Sequence, residues 1–184
     1  MKKWFQRILK RKSAEKEHIE MLYKKGLTTG NNFNCFSWYG IDAGMPWLIS
    51  IGDDVTISSD VHILTHDAST NKAGFETKIG LVKIGNNCFV GVGSIILCNV
   101  TIGDNVIIGA GSVVTHDIPS NSVVGGNPAK VITSFDAWKK KSAKRWESQR
   151  YFNEMPWQEW FDADEEHRKM MKETLEKTGG YGFF

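Results

Sequence analysis

His66 stands where an imidazole could do chemistry. It follows a short stretch of β character, residues 61–64, and opens a polar run, THDASTNKAGFETKIGLVK, over residues 65–83. An unperturbed imidazole titrates near pH ~6.5, so it can take a proton from a substrate close to neutrality. Such a base needs a partner to fix its tautomer, and Asp42, Asp60 and Asp67 are the acids that could serve. A thiolate zinc site has little support. Cys35, Cys88 and Cys98 are scattered, without a Cys-x-x-Cys pair, and are too few for a disulfide framework.

The elements that must hold His66 show as a repeat. From Ile51 the chain reads IGDDVT and ISSDVH; from Ile84 it reads IGNNCF, VGVGSI, ILCNVT, IGDNVI, IGAGSV and VTHDIP. The six-residue frame runs over residues 84–119 without a slip. Its first position is always aliphatic: Ile84, Val90, Ile96, Ile102, Ile108 and Val114. Its fifth is mostly small or β-branched: Cys88, Ser94, Val100, Val106, Ser112 and Ile118. Short Val- and Ile-rich strands broken by Gly, Asn and Asp at fixed intervals describe flat faces joined by tight turns. A helix would place apolar residues at i, i+3, i+4 and i+7, which this pattern does not do. Three such units make one triangular coil, and each coil buries its aliphatic row only by stacking on its neighbours through parallel pairing. The polar run that begins at residue 65 is the major break in the frame, and long excursions from a solenoid tend to be functional.

Several stretches resemble the hexapeptide-repeat acyltransferases over roughly residues 28–133: ISIGDDVTI, ILTHD, VKIGNNCFVGVGSIIL, VTIGDNVIIGAGSVVTHDIP and VVGGNPAKVI. They are most like the maltose, galactoside and polysaccharide O-acetyltransferase branch. The resemblance implies an all-β solenoid, a left-handed parallel β-helix with a protruding loop at 65–83. Handedness comes from the resemblance, since the ordinary crossover rule would give a right-handed coil. It further implies acetyl-CoA as acyl donor and His66 as general base, a role typically worth about 10²–10⁴-fold. A homotrimer is implied too, with the loop covering a neighbouring subunit's site.

The remaining site residues are carried over position by position. Related enzymes hold the acceptor with an Asn or Asp ahead of the first repeats. In the corresponding stretch here, SWYGIDAGMPW, that Asn is missing and Asp42 is the nearest acid. Val92, after Phe89-Val90-Gly91, matches the backbone donor to the thioester oxyanion. Phe89 would lie beside the pantetheine arm, with Gly91, Gly109 and Ala110 leaving room for it. Thr115 and His116 match positions near the adenine. Pro128 would shape the exit of the last coil, and Lys130 would offer a point charge to a CoA phosphate.

The flanks differ in character. Residues 1–27 read as a basic helical segment with Trp4, Phe5, Ile8 and Leu9 on one face. This face would pack on its own protein or, in a second reading, rest weakly on an anionic membrane surface. Residues 134–184 read as a helical extension, with helices at 136–150 and 162–177, Pro156 between them and Gly179-Gly180 closing the second. Its tryptophans, Trp138, Trp146, Trp157 and Trp160, fit a terminal cap or an acceptor-binding element. Residues 181–184 are expected to fray.

A net charge of +2 gives no global argument for nucleic-acid binding. No secretory signal or membrane-length apolar run is evident, which favours the cytoplasm. The expected reaction is direct acetyl transfer to a sugar hydroxyl, with capsule, exopolysaccharide or lipopolysaccharide units as reasonable acceptors. N-acetylation of an amino sugar or xenobiotic is the runner-up. A γ-type carbonic anhydrase would need three converging histidines, and only His62, His66 and His116 lie near the repeats, so no metal is expected. A non-catalytic scaffold would need neither the histidine nor an open groove.

Overall fold

The computed structural model describes residues 2–149, 151–152, 159–180 and 182; the side chains of 2–12, 160 and 161 lie outside that description. The chain divides into two compact units, Met1–Phe135 and Asp136–Phe184.

In the first unit, helix α1 (Lys2–Lys24) leads into fifteen short strands. Ahead of the excursion come β1 (Thr28–Thr29), β2 (Asn34–Cys35), β3 (Ile49–Ile51), β4 (Thr56–Ile57) and β5 (His62–Ile63). Within it lie β6 (His66–Asp67) and β7 (Lys78–Ile79). After it come β8 (Val82–Ile84), β9 (Phe89–Val90), β10 (Ile95–Ile96), β11 (Val100–Ile102), β12 (Val106–Ile108), β13 (Val113–Val114), β14 (Ser122–Gly125) and β15 (Lys130–Ser134). Three sheets result, ordered β1-β3-β8-β11, β13-β10-β5 and β15-β14-β12-β9-β4-β2. From β8 to β13 the chain visits a strand of each of these three sheets in turn and then repeats, and all pairings within them are parallel except that of β15 with β14.

The repeat seen in the sequence is the cause of this arrangement. All six first-position aliphatics, Ile84 to Val114, point inward and are buried, as are all six fifth-position residues. Each buried Val or Ile contributes about 1.5–3 kcal/mol over its exposed state. One corner of the coil is turned by Asn32, Asp54, Asn87, Asn105 and Asn121, all at φ between 51° and 59°. Asn and Asp tolerate this left-handed region better than other side chains. Neighbouring corners are laced together: Asp104 Oδ1 accepts the Asn86 N–H at 2.6 Å, and Asn87 Nδ2 donates to Asn105 Oδ1 at 2.7 Å.

The same lacing measures the length of each turn. Asn86 and Asp104 are 18 positions apart, the length of three hexads. Asp53 and Asn86, joined at 2.9 Å, are 33 apart. Asn31 and Asp53 are 22 apart, and Asp104 and Ser120 are 16 apart. Every departure from 18 falls at one edge, where the chain leaves the β13-β10-β5 sheet for the β1-β3-β8-β11 sheet. Residues 42–48, the excursion and residues 115–117 all sit on that edge.

The excursion is an antiparallel hairpin in which β6 pairs with β7 across the 3-10 helix Ala68–Ala73. The regular coil resumes at Val82, so Val82 and Lys83 belong to it and not to the loop; Val82 is buried and alternates with exposed Lys83. Helix α1 docks beside the first turn, with Leu22 fully buried and His18 stacked on Tyr39 at 4.5 Å between centroids. The apolar face formed by Trp4, Phe5, Ile8 and Leu9 lies outside the described side chains.

The second unit holds α2 (Phe135–Gln149) and α3 (Glu165–Thr178). Asp164 caps α3 by accepting the His167 N–H, and Gly179 ends it at φ 94°. Phe152 and Ala163 are buried together with Met170, Met171 and Leu175 around them. Pro156, Trp157, the Trp160 side chain and residues 181, 183 and 184 lie outside the described residues. Among the described residues no helix is long and apolar enough to cross a membrane.

Candidate active site

The two longest departures from the 18-residue step put Asp42 and His66 on the same edge of successive turns. Ile41 bridges to Ile63, which brings the segment after Ile41 against the root of the hairpin. There His66 Nδ1 lies 2.6 Å from Asp42 Oδ2. Asp42 is almost wholly buried, with 6% of its side chain exposed, whereas the His66 side chain is 44% exposed.

Burial alone would raise the Asp42 carboxyl, but hydrogen bonds more than offset this. The Thr65 hydroxyl donates to Oδ2 at 2.5 Å, the Thr65 N–H to the same oxygen at 3.0 Å, and the Gly44 N–H to Oδ1 at 2.9 Å. With the His66 contact these hold the carboxyl below its ordinary range, so it is ionised at neutral pH. An ionised carboxylate only accepts, which assigns the proton between the two groups to His66 Nδ1. In the neutral ring this tautomer leaves the lone pair on Nε2.

Of the other candidate acids, neither orients His66. Asp60 is an exposed turn residue at φ 57°. Asp67 caps the 3-10 helix through the Ser69 N–H and faces Lys78 at 3.4 Å. Thr65 was not singled out in the sequence. Its only signal there was its place beside His66, whereas its importance comes from a contact 23 positions back.

A second cluster forms at the opposite edge of the β13-β10-β5 sheet, where β9 gives way to β10. Gly91 and Val92 stack on Gly109, Ala110 and Gly111 of the next turn. Gly91 donates to Ile108 O at 2.8 Å and Gly111 to Val92 O at 2.8 Å. A Cβ on Gly91 would lie 2.5 Å from the Ala110 nitrogen, so the close stacking demands glycine. Val92 is 51% exposed, and its N–H donates to no described residue. Phe89 is exposed on β9 beside it. Within one chain, then, His66 and Val92 stand on opposite edges of one sheet.

Thr115 Oγ1 and His116 Nδ1 lie 2.8 Å apart and line a cavity of about 480 Å³ with Asn99, Thr101 and Asp117. Asn127-Pro128 is a cis peptide at the end of the coil, and Lys130 is exposed at the start of β15. Among the described residues no group of three His, Cys, Asp or Glu side chains could hold a metal ion.

The comparisons with known proteins agree with this architecture. The family model described as bacterial transferase hexapeptide (six repeats) matches residues 81–116. Protein CapG of Staphylococcus aureus is 45% identical over 146 residues, covering 77% of this chain and 83% of that protein. Nodulation protein L of Rhizobium meliloti (strain 1021) is 44% identical over 103 residues, covering 54% of this chain and 53% of its own length. Among solved structures, a galactoside acetyltransferase in complex with coenzyme A superposes with a TM-score of 0.50 at 25% identity, covering 74% of this chain and 83% of that one. The repeat, the parallel sheets that it builds and the extent of the match to CapG together place this chain in the hexapeptide-repeat acyltransferase family.

Proposed function

We propose that this acetyltransferase moves the acetyl group of acetyl-CoA directly to a sugar hydroxyl, with His66 as general base. The observation that carries the reading is the buried, ionised Asp42 held 2.6 Å from His66 Nδ1, which leaves Nε2 free on a half-exposed ring. Nε2 takes the acceptor proton as the oxygen attacks the thioester carbon. The C–S bond breaks, and the departing thiolate takes the proton back from the imidazolium. Asp42 holds the tautomer and stabilises the charged ring while it lasts.

The oxyanion needs a fixed donor, and the unengaged Val92 N–H on a rigid corner suits that role. The glycine-rich corner around Gly91, Gly109 and Ala110 suits an extended pantetheine, with Phe89 alongside. Thr115, His116 and Lys130 would meet the nucleotide end, and Pro128 would shape the last turn. Because His66 and Val92 occupy opposite edges of one sheet, a single chain does not complete this site. A left-handed, three-sided β-helix assembled as a homotrimer would set the base edge of one subunit against the Val92 edge of the next.

Free-thiol release from acetyl-CoA by wild type and His66→Ala, over a panel of sugar acceptors, tests the reading. Burial pushes the Cys35 and Cys88 thiols up to about 11, and Cys98 is buried, so the native protein adds little background. Acceptor-dependent release that drops at least about 10²-fold in His66→Ala is the expected result. Equal rates would remove His66 from the role of base.

A further inference from the structure

We propose that Thr65 is a positioning residue that locks the base, its orienting acid and the root of the hairpin into one unit; this rests on the reading of His66 as base. Thr65 is fully buried although its neighbour His66 is exposed. All of its polar groups are committed to the site. The hydroxyl and the N–H both donate to Asp42 Oδ2, and the carbonyl accepts the Gly80 N–H at 2.9 Å, where the hairpin returns to the coil.

The chemistry of these contacts sets Thr65 apart from the other buried hydroxyls of the coil. Ser94 and Ser112 both donate to the Gly109 carbonyl, which is backbone repair. Thr65 donates instead to the carboxylate that faces His66. Its β-branched side chain has few rotamers, so the hydroxyl is aimed before substrate arrives. With Gly44 on Oδ1 and Thr65 on Oδ2, both carboxylate oxygens are pinned and the group cannot swing away from Nδ1. The pairing of His66 with Ile79 and the Thr65–Gly80 bond tie the same point to the returning strand.

The test compares wild type, Thr65→Val and Thr65→Ser. Valine keeps the shape and the N–H but removes the hydroxyl; serine keeps the hydroxyl. Protein labelled with ¹⁵N-histidine reports the imidazole tautomer in long-range ¹H–¹⁵N spectra without any acceptor, and His66→Ala identifies the His66 signals. Wild type and Thr65→Ser should show Nδ1 protonated and Nε2 bare, whereas Thr65→Val should show a mixture of tautomers. With a working acceptor, Thr65→Val should lower kcat about tenfold, the scale of one hydrogen bond to a charged group, and leave KM for acetyl-CoA unchanged. A merely structural threonine would lower stability and leave the tautomer alone. Thr65→Ala gives the same readout should the valine variant fold poorly. A wild-type tautomer in the hydroxyl-free variants overturns the proposal. Full activity in His66→Ala overturns the base assignment instead, and the spectra still judge Thr65.

Discussion

Asp42 Oδ2 and His66 Nδ1 meet at 2.6 Å across 24 positions of sequence, and the carboxyl is buried while the imidazole is open to solvent. This asymmetry suits a dyad in which one member reacts and the other only holds. The buried carboxylate is fixed by four hydrogen bonds, so its charge is aimed before any substrate binds.

Asp42→Asn should therefore cost at least about 10²-fold in kcat with a smaller change in KM for acetyl-CoA. The amide has one accepting oxygen where the carboxylate has two, so it cannot serve Gly44, Thr65 and His66 together, and it offers the charged imidazolium no counter-charge. Steady-state kinetics on the purified variant check this. A kcat close to wild type would mean that the acid does not orient the base.

The same carboxylate makes stability depend on pH in a defined window. Its folded pKa is depressed below the unfolded value of about 3.9, so its contribution is fully present above that value. The contribution is lost as pH falls through the still lower folded pKa. Urea unfolding of wild type and Asp42→Asn should show a clear gap in midpoint at about pH 5–6 that shrinks below about pH 4. A gap that persists unchanged at the lowest pH would show that the carboxylate charge contributes nothing to it.

Two glycines of the coil should both lose stability on substitution by alanine, for different reasons and to different extents. A Cβ on Gly91 would meet Ala110 N at 2.5 Å and Ile108 O at 2.8 Å, both backbone atoms that cannot step aside. Gly91→Ala should destabilise by about 1–3 kcal/mol or more, the range for overpacking. Gly111 has open space around its missing Cβ and a φ of 68°. There Gly111→Ala should cost only about 1–2 kcal/mol, the strain of the left-handed conformation, and Gly111→Asn less. Thermal melts of the three variants test this ranking; a Gly91→Ala protein as stable as wild type would contradict the close stacking.

The coil was legible because its pattern is local. Every aliphatic at the first position of the six hexads points inward, and the Asn and Asp residues that punctuate them turn the corners. His66 was legible as a candidate for the opposite reason, since it stands where the pattern fails. Its partner was harder to read. Asp42, Asp60 and Asp67 were all candidates; the family resemblance favoured Asp42, and the stacking of one turn on the next brings that residue to His66. Thr65 escaped notice because a lone threonine carries no sequence signal, and its hydroxyl matters only after Asp42 arrives. The exact return of the hairpin was misplaced by two residues because Val82 and Lys83 sit in a run whose polarity resembles the loop.

The confinement of every irregular turn length to one edge has a consequence for how such chains diversify. Two sides of the prism keep a strict period and act as a fixed gauge, while the third seam accepts two fewer, four more or fifteen more residues without shifting the strands on either side. Material grafted at that seam lands beside the dyad by construction. Rewriting residues 42–48 or the hairpin would therefore change what lies beside Asp42 and His66 while leaving the glycine-rich corner at Gly91 and Gly109 and the stacking frame untouched.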